Sequence, residues 1–321
     1  MLSMPTKYLH ELKEFPELLR ILEKELGIQS QLIEKDYWIM HVMYGLKNQK
    51  FEFELKGGTS LSKGFGIIDR FSEDIDIHIK PPKEIAVNTN PKNTNVNAVK
   101  SRKNYYDWLA GVIRIHGIAS IERDTNFDNH DNFNSGGIRL FYKGHTDKIA
   151  GVKDGILLEA GFDTVTPNKS RTISSWAYDK ASKTVGIDIT DNRAANIACY
   201  HPGYTFVEKL QTIATKFRRE RETGNQNQNL MRQYYDVYCL LANNDVHAFI
   251  GTKEYNDHKE VRFPQKDKDV AICKNEAFLL TNTELRAQFK KRYEATASLY
   301  YKGQPSFDKL LERIIEHVDK L

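Results

Sequence analysis

Between positions 56 and 77 the chain gathers residue types suited to handling a polyphosphate. Lys56-Gly57-Gly58-Thr59-Ser60-Leu61-Ser62-Lys63 is followed by Ser72-Glu73-Asp74-Ile75-Asp76-Ile77. Gly57 and Gly58 can take backbone conformations closed to other residues, and the amides opening the helix after them attract phosphate through their partial positive charge. Thr59 and Ser60 add hydroxyl donors. In an extended strand alternate side chains share a face, so Ser72, Asp74 and Asp76 project together while Phe71, Glu73, Ile75 and Ile77 point away. Magnesium takes one or two carboxylates together with substrate phosphates, which suits Asp74 and Asp76. An Asp-x-Asp alone reads as a solvated strand face; with a glycine turn just upstream it reads as a phosphate and metal site, the pairing that nucleotidyl transfer requires.

Elements must hold these residues in place. Helical spacing runs from about 7 to 25 and about 29 to 47, the second carrying Leu32, Tyr37, Trp38, Met40, His41 and Tyr44. Residues 51–55 read as a strand, 60–65 as a short helix, and 71–79 alternate with the period of a strand. Residues 81–97, rich in Pro and Asn, read as a loop before a helix over about 101–116. A second Asn/Asp/Gly tract, 124–137, precedes two strand-like runs, 138–143 and 155–163, that can pair as a meander. After about residue 200 the strand signal fades, and 205–222, 230–241, 275–300 and 306–321 carry helical periodicity. The expected class is α+β in two domains, 1–195 and a helical bundle over 196–321.

Composition narrows the setting. With 321 residues, 40% hydrophobic, 11% aromatic and 28% charged, the chain can build real cores. Its mean hydropathy of -0.58 is that of a protein at home in water. It has no apolar run long enough to span a membrane, and Lys7, Glu11, Lys13, Glu14, Glu17 and Arg20 stand where a signal peptide needs an apolar core, so a cytoplasmic location with no membrane partner is expected. Cys199, Cys239 and Cys273 form no Cys-x-x-Cys pair, which argues against a disulfide framework or a zinc site. A net charge of +4 permits a nucleic-acid partner without demanding one.

The glycine turn and Asp-x-Asp resemble the nucleotidyltransferase superfamily built on the polymerase-beta-like core. More narrowly, Lys56-Gly57-Gly58-Thr59-Ser60-Leu61 with Arg70-Phe71-Ser72-Glu73-Asp74-Ile75-Asp76 resembles the AbiEii/AbiGii toxin family. Glu208-Lys209-Leu210, Arg232-Gln233-Tyr234-Tyr235-Asp236-Val237-Tyr238-Cys239-Leu240 and Glu34-Lys35-Asp36-Tyr37 extend the likeness over about residues 30 to 241. The resemblance implies a mixed sheet flanked by helices. It also implies that Ser72 helps hold a triphosphate, Asp74 and Asp76 bind Mg²⁺ or Mn²⁺, Lys209 contacts nucleotide phosphate, and Asp236 lies near the catalytic centre. Lys216 stands where the family tends to place an arginine, so a point charge replaces a planar fork.

Lys209 and Lys216, seven apart on one helix face, can reach one anion. Read alone, both are ordinary surface lysines, and Asp236 is a partner for Arg232 one turn back. Enzymes of the superfamily often use a third carboxylate to accept the proton of the attacking hydroxyl; Glu159 is the candidate and Asp163 the runner-up. Lys216, Arg218, Arg219 and Arg221 around Phe217 are candidate RNA contacts, interrupted by Glu220 and Glu222. The expected activity moves a nucleoside monophosphate from a nucleoside triphosphate to an acceptor hydroxyl. The resemblance favours the toxin of a toxin–antitoxin or phage-defence pair, with tRNA or other RNA as acceptor and a cognate antitoxin as partner. Nucleotidylation of a protein or a small molecule such as an aminoglycoside, and a catalytically silent nucleotide-binding module, are the alternatives.

Overall fold

The structure, a computed structural model, describes residues 6–149, 151–184, 186 and 188–321. The chain forms two compact units: Met1–Gly64 with Ser72–Tyr200, and Phe65–Phe71 with His201–Leu321.

The first unit is built on one mixed sheet. Its strands are β1 (Glu52–Lys56), β2 (Asp74–Lys80), β3 (Ile118–Arg123), β4 (Ser135–Tyr142), β5 (Ile156–Gly161), β6 (Asn168–Ile173) and β7 (Ala194–Tyr200), in the order β3-β4-β5-β2-β1-β7-β6. β2 pairs parallel with β5, β1 parallel with β7, and the remaining neighbours pair antiparallel. β2 alternates as its sequence dictates, with Ile75, Ile77 and Ile79 buried and the residues between them half-buried. β5 lies between β2 and β4 and buries Ile156, Leu157, Leu158 and Ala160, the near-continuous apolar run of a strand covered on both faces.

Helices α1 (Phe15–Leu26), α2 (Ser30–Asn48), α3 (Gly57–Thr59, continued by a π-helical turn over Ser60–Gly64), α4 (Val96–Val112) and α5 (Trp176–Ala181) complete this unit. The helix expected from about 7 starts later. Leu9–Glu11 is a single 3₁₀ turn, and α1 follows it with Pro16 in its first turn, where a missing amide costs nothing. α4 begins before residue 101 because the Asn95 side chain accepts from the Asn97 amide and caps it. β3, β6 and β7 carry no sequence expectation. In β6 five of six residues are exposed, so it offers no alternation to read.

The second unit is helical: α6 (Pro202–Thr223), α7 (Leu230–Leu240), α8 (Asn244–Phe249), α9 (Lys253–Arg262), α10 (Gln265–Lys268), α11 (Glu276–Leu279), α12 (Thr283–Glu294) and α13 (Phe307–His317). α13 buries Phe307, Leu310, Leu311 and Ile314, the i, i+3, i+4, i+7 stripe of a core-facing helix. Tyr234 packs inside this unit and donates its hydroxyl to the Ala277 carbonyl at 2.6 Å. The single helix expected over 275–300 is broken. Leu280 turns left-handed at φ 43°, and the Asn282 side chain caps a new helix by accepting from the Leu285 amide. Among the described residues no helix is long and apolar enough to cross a membrane.

Candidate active site

Asp74 and Asp76 open β2 and lean from one face of it, each half-buried beside fully buried isoleucines. β1 runs antiparallel to β2 with Lys56 opposite Asp76, so the turn after β1 arrives beside the two carboxylates. At Gly57, φ is +68°, and a Cβ there would lie 2.2 Å from Oδ2 of Asp76. Only glycine suits both the backbone conformation and the space. Thr59 donates its hydroxyl to the Asp74 carbonyl, which fastens the turn to the first residue of β2. Gly58, Thr59 and Ser60 are buried. The hydroxyl donors expected at 59 and 60 therefore lie inside the fold, and contact with a ligand would fall to the turn's backbone amides. Ser72, half-buried, lies two residues before β2 at the parity of Asp74 and Asp76.

Across β2 the parallel register sets Glu159 opposite Asp76 and Leu157 opposite Asp74. Asp163, the other candidate, lies beyond the end of β5, with Oδ2 3.9 Å from Nζ of Lys56. Burial and the adjacent carboxylates of Asp76 and Asp74 push Glu159 up to about 9. Burial raises Asp74 above the ordinary carboxylate range as well, although an ammonium opposes it. That ammonium is Lys153, whose Nζ stands 2.9 Å from Oδ2 and 3.2 Å from Oδ1 of Asp74. Nothing in the sequence marked it, because it sits in a short loop between Gly151 and Gly155, about 80 residues from the motif, with no periodic pattern around it.

Three successive charges of α2, each about 1% exposed, tie down the segments around this site. Glu34 accepts from the His145 amide at 2.9 Å and the Thr146 hydroxyl at 2.7 Å. Lys35 donates to Glu73 at 3.3 Å and to the Lys153 carbonyl at 2.5 Å. Asp36 is 2.7 Å from Nζ of Lys63 and accepts from the Trp176 amide at 3.0 Å. The Glu34-Lys35-Asp36 run thus positions the backbone of other elements. Apolar periodicity alone could not reveal this, since the charges lie within an otherwise buried helix.

Lys209, Lys216 and Asp236 belong to the second unit. There Asp236 is fully buried and accepts from Nε and Nη2 of Arg70 at 2.6 and 2.7 Å. Nζ of Lys209 lies 3.0 Å from its Oδ2 and also donates to Gln233 at 2.9 Å. Burial alone would raise Asp236, but the Arg70 and Lys209 charges outweigh it and hold the carboxyl below its usual range. Arg70 stood in the motif without a role; its role in the fold is this bridge. Lys216, two turns along α6, donates to Asn227 at 3.1 Å. In the basic run, Arg218 is taken by Asp267 at 2.6 Å and by Glu222 at 3.0 Å.

The residues around Asp74 fit a hard divalent cation. Asp74 already carries a positive charge in Lys153, and Asp76 lies beside Glu159, whose carboxyl holds its proton up to about 9 for want of a cation, all three offering oxygen donors. Among the described residues no set of three or more His, Cys, Asp or Glu stands in ligand geometry. Such a cation would therefore rest on two carboxylates plus substrate phosphates, the usual manner of magnesium.

No curated protein matches this sequence. Among solved structures, an antigenic nucleotidyltransferase-like protein from Paracoccidioides brasiliensis aligns with 72% of this chain and 94% of its own at 10% identity, with a TM-score of 0.34, an overlap too loose to carry an argument. The family described as nucleotidyl transferase AbiEii toxin, type IV toxin–antitoxin system, matches residues 42–313. With that match spanning most of its length, the chain belongs to the AbiEii family of nucleotidyltransferase toxins.

Proposed function

We propose that this toxin moves a nucleoside monophosphate from a nucleoside triphosphate to a hydroxyl of RNA, with tRNA as the leading acceptor, and that Asp74 and Asp76 hold Mg²⁺ or Mn²⁺ for it. The reading is carried by one observation: Asp74, Asp76 and Glu159 share a sheet face, and the Gly57 turn is packed against Asp76. A divalent cation on those carboxylates supplies charge neutralisation of the phosphates and a Lewis acid for the attacking oxygen. The chain's own groups do the rest. The amides of the turn from Gly57 through Ser60, with Ser72, orient the phosphates. Glu159, ionised as a neighbouring cation would favour, takes the proton as the acceptor oxygen forms its bond to the α-phosphorus, while the α–β bridging bond breaks and pyrophosphate leaves. Positioning and charge placement provide most of the rate, since little covalent chemistry falls to the protein.

Lys209 and Lys216 are proposed as phosphate contacts, and Asp236 as the anchor that fixes Lys209. A cognate antitoxin and a cytoplasmic setting accompany the reading, supported by the family's place in toxin–antitoxin systems. The test is incubation with each α-labelled triphosphate, Mg²⁺ and total RNA, using wild type and Asp76→Ala. Label entering RNA with wild type alone supports the proposal. Label in protein or a small molecule redirects it to another acceptor, and absence of label from every fraction refutes transfer.

A further inference from the structure

Lys153 is held in an unusual way for a loop lysine. Its backbone amide donates to Oε2 of Glu73 at 2.9 Å, and its carbonyl accepts from Nζ of Lys35 at 2.5 Å. Lys35 and Glu73 are themselves ion-paired at 3.3 Å with side chains 1% exposed. Both polar groups of the Lys153 backbone are therefore fixed by one buried pair, anchored in turn on α2 and on the residue preceding Asp74. The side chain is not fixed in this way. It is 32% exposed, bridges both oxygens of Asp74, and sets its ammonium 4.9 Å from the centre of the Phe127 ring. A clamped backbone carrying a half-exposed four-carbon arm delivers a charge to one place and still lets it leave.

The charges around it give that arm a purpose. Glu73 is matched by Lys35, and of the three carboxyls that share a face, Asp74, Asp76 and Glu159, Lys153 pairs with Asp74 and its charge opposes the upward push on Glu159. We infer that the Lys153 ammonium is the built-in counter-ion of Asp74, which an arriving divalent cation must displace and which then swings onto the triphosphate. The ammonium lies against both oxygens of Asp74, so a cation approaching either one meets its repulsion, and metal and lysine compete for that carboxylate. The displaced ammonium, still tethered beside the site, meets the polyanion that enters with the metal, and lysine serves phosphate well as a point charge. The residue would thus stabilise the carboxylates before substrate arrives and bind the leaving phosphates afterwards.

This inference rests on the assignment of Asp74 and Asp76 to the metal, and the experiment separates the two. Mn²⁺ binding to nucleotide-free protein is followed by electron paramagnetic resonance for wild type, Lys153→Met, Lys153→Arg and Asp74→Asn. Removing a partly exposed ionic competitor should tighten Mn²⁺ binding in Lys153→Met by roughly three- to tenfold, Lys153→Arg staying near wild type and Asp74→Asn losing affinity. The same Lys153→Met variant should raise the KM for the triphosphate more than it lowers kcat. In wild type, Mn²⁺ should also increase labelling of Lys153 by an amine-reactive ester read by peptide mass spectrometry, a measurement that needs no variant to fold. Equal Mn²⁺ affinity in wild type and Lys153→Met, or labelling indifferent to Mn²⁺, overturns the counter-ion role while leaving the metal site standing. Mn²⁺ affinity unchanged in Asp74→Asn overturns the metal assignment and this inference with it.

Discussion

Glu159 shows how a single carboxyl registers its surroundings. Burial and the carboxylates of Asp76 and Asp74 push it up to about 9, whereas in an unfolded chain a glutamate titrates near 4.3. Between those values the folded, metal-free protein keeps a proton that the unfolded chain has lost, so stability falls as pH rises through that window. Replacement by an uncharged isostere removes the slope: Glu159→Gln should gain stability over wild type at pH 8 and little at pH 5, as read by urea unfolding without metal. At this scale much was legible. The two-residue period placed Asp74 and Asp76 on one face, and the need for a left-handed residue marked Gly57. Asp-x-Asp and Gly-Gly are local signals. Lys153, by contrast, reaches Asp74 from a loop about 80 residues away, and a contact of that range leaves no trace in spacing.

The elements divide between those that local pattern declares and those that neighbours impose. β2 and α13 announce themselves because one face is apolar and the other is not. β6 is nearly all exposed and exists because β7 offers it hydrogen bonds, so no hydrophobic period could reveal it. The break between α11 and α12 was legible in principle, since Asn275 and Asn282 are both capping residues standing before acidic first turns. Within the second unit, Arg70 and Asp236 form a bridge whose partners are 166 positions apart. Arg70→Met leaves a buried carboxylate with Lys209 as its remaining counter-charge. The expected cost is about 3 kcal/mol, toward the lower end for a broken buried pair, measured by denaturant unfolding at pH 7. Because Asp236 is held below its usual range, its contribution is present above the ordinary aspartate value near 3.9 and lost as pH falls through the lowered one. The gap between wild type and Arg70→Met should accordingly narrow in strong acid.

Across the whole chain, residues 65–71 are the feature least readable from sequence. Both flanks belong to the sheet-bearing unit, yet this segment packs with the helical one. Ile68 and Phe71 are buried, the Asp69 amide donates to the Tyr235 hydroxyl at 3.3 Å, and the Phe71 amide donates to the Leu299 carbonyl at 2.7 Å. A fragment of residues 201–321 lacks the arginine that neutralises Asp236 and the apolar side chains that close its core. It should therefore be largely unfolded by circular dichroism and amide exchange, and regain protection when residues 65–71 are fused to it. A fragment that folds cooperatively without them would contradict this account of the unit's core.

Synthesis on the ribosome gives that insert a timetable. Its seven residues emerge more than a hundred codons before the helices that receive them, and more than two hundred before Leu299. Ile68 and Phe71 must wait in water through that interval, sticky and open to chaperones or proteases. A message cut short before the codon for Leu299 yields a polypeptide whose insert never meets the carbonyl that its Phe71 amide binds in the folded chain.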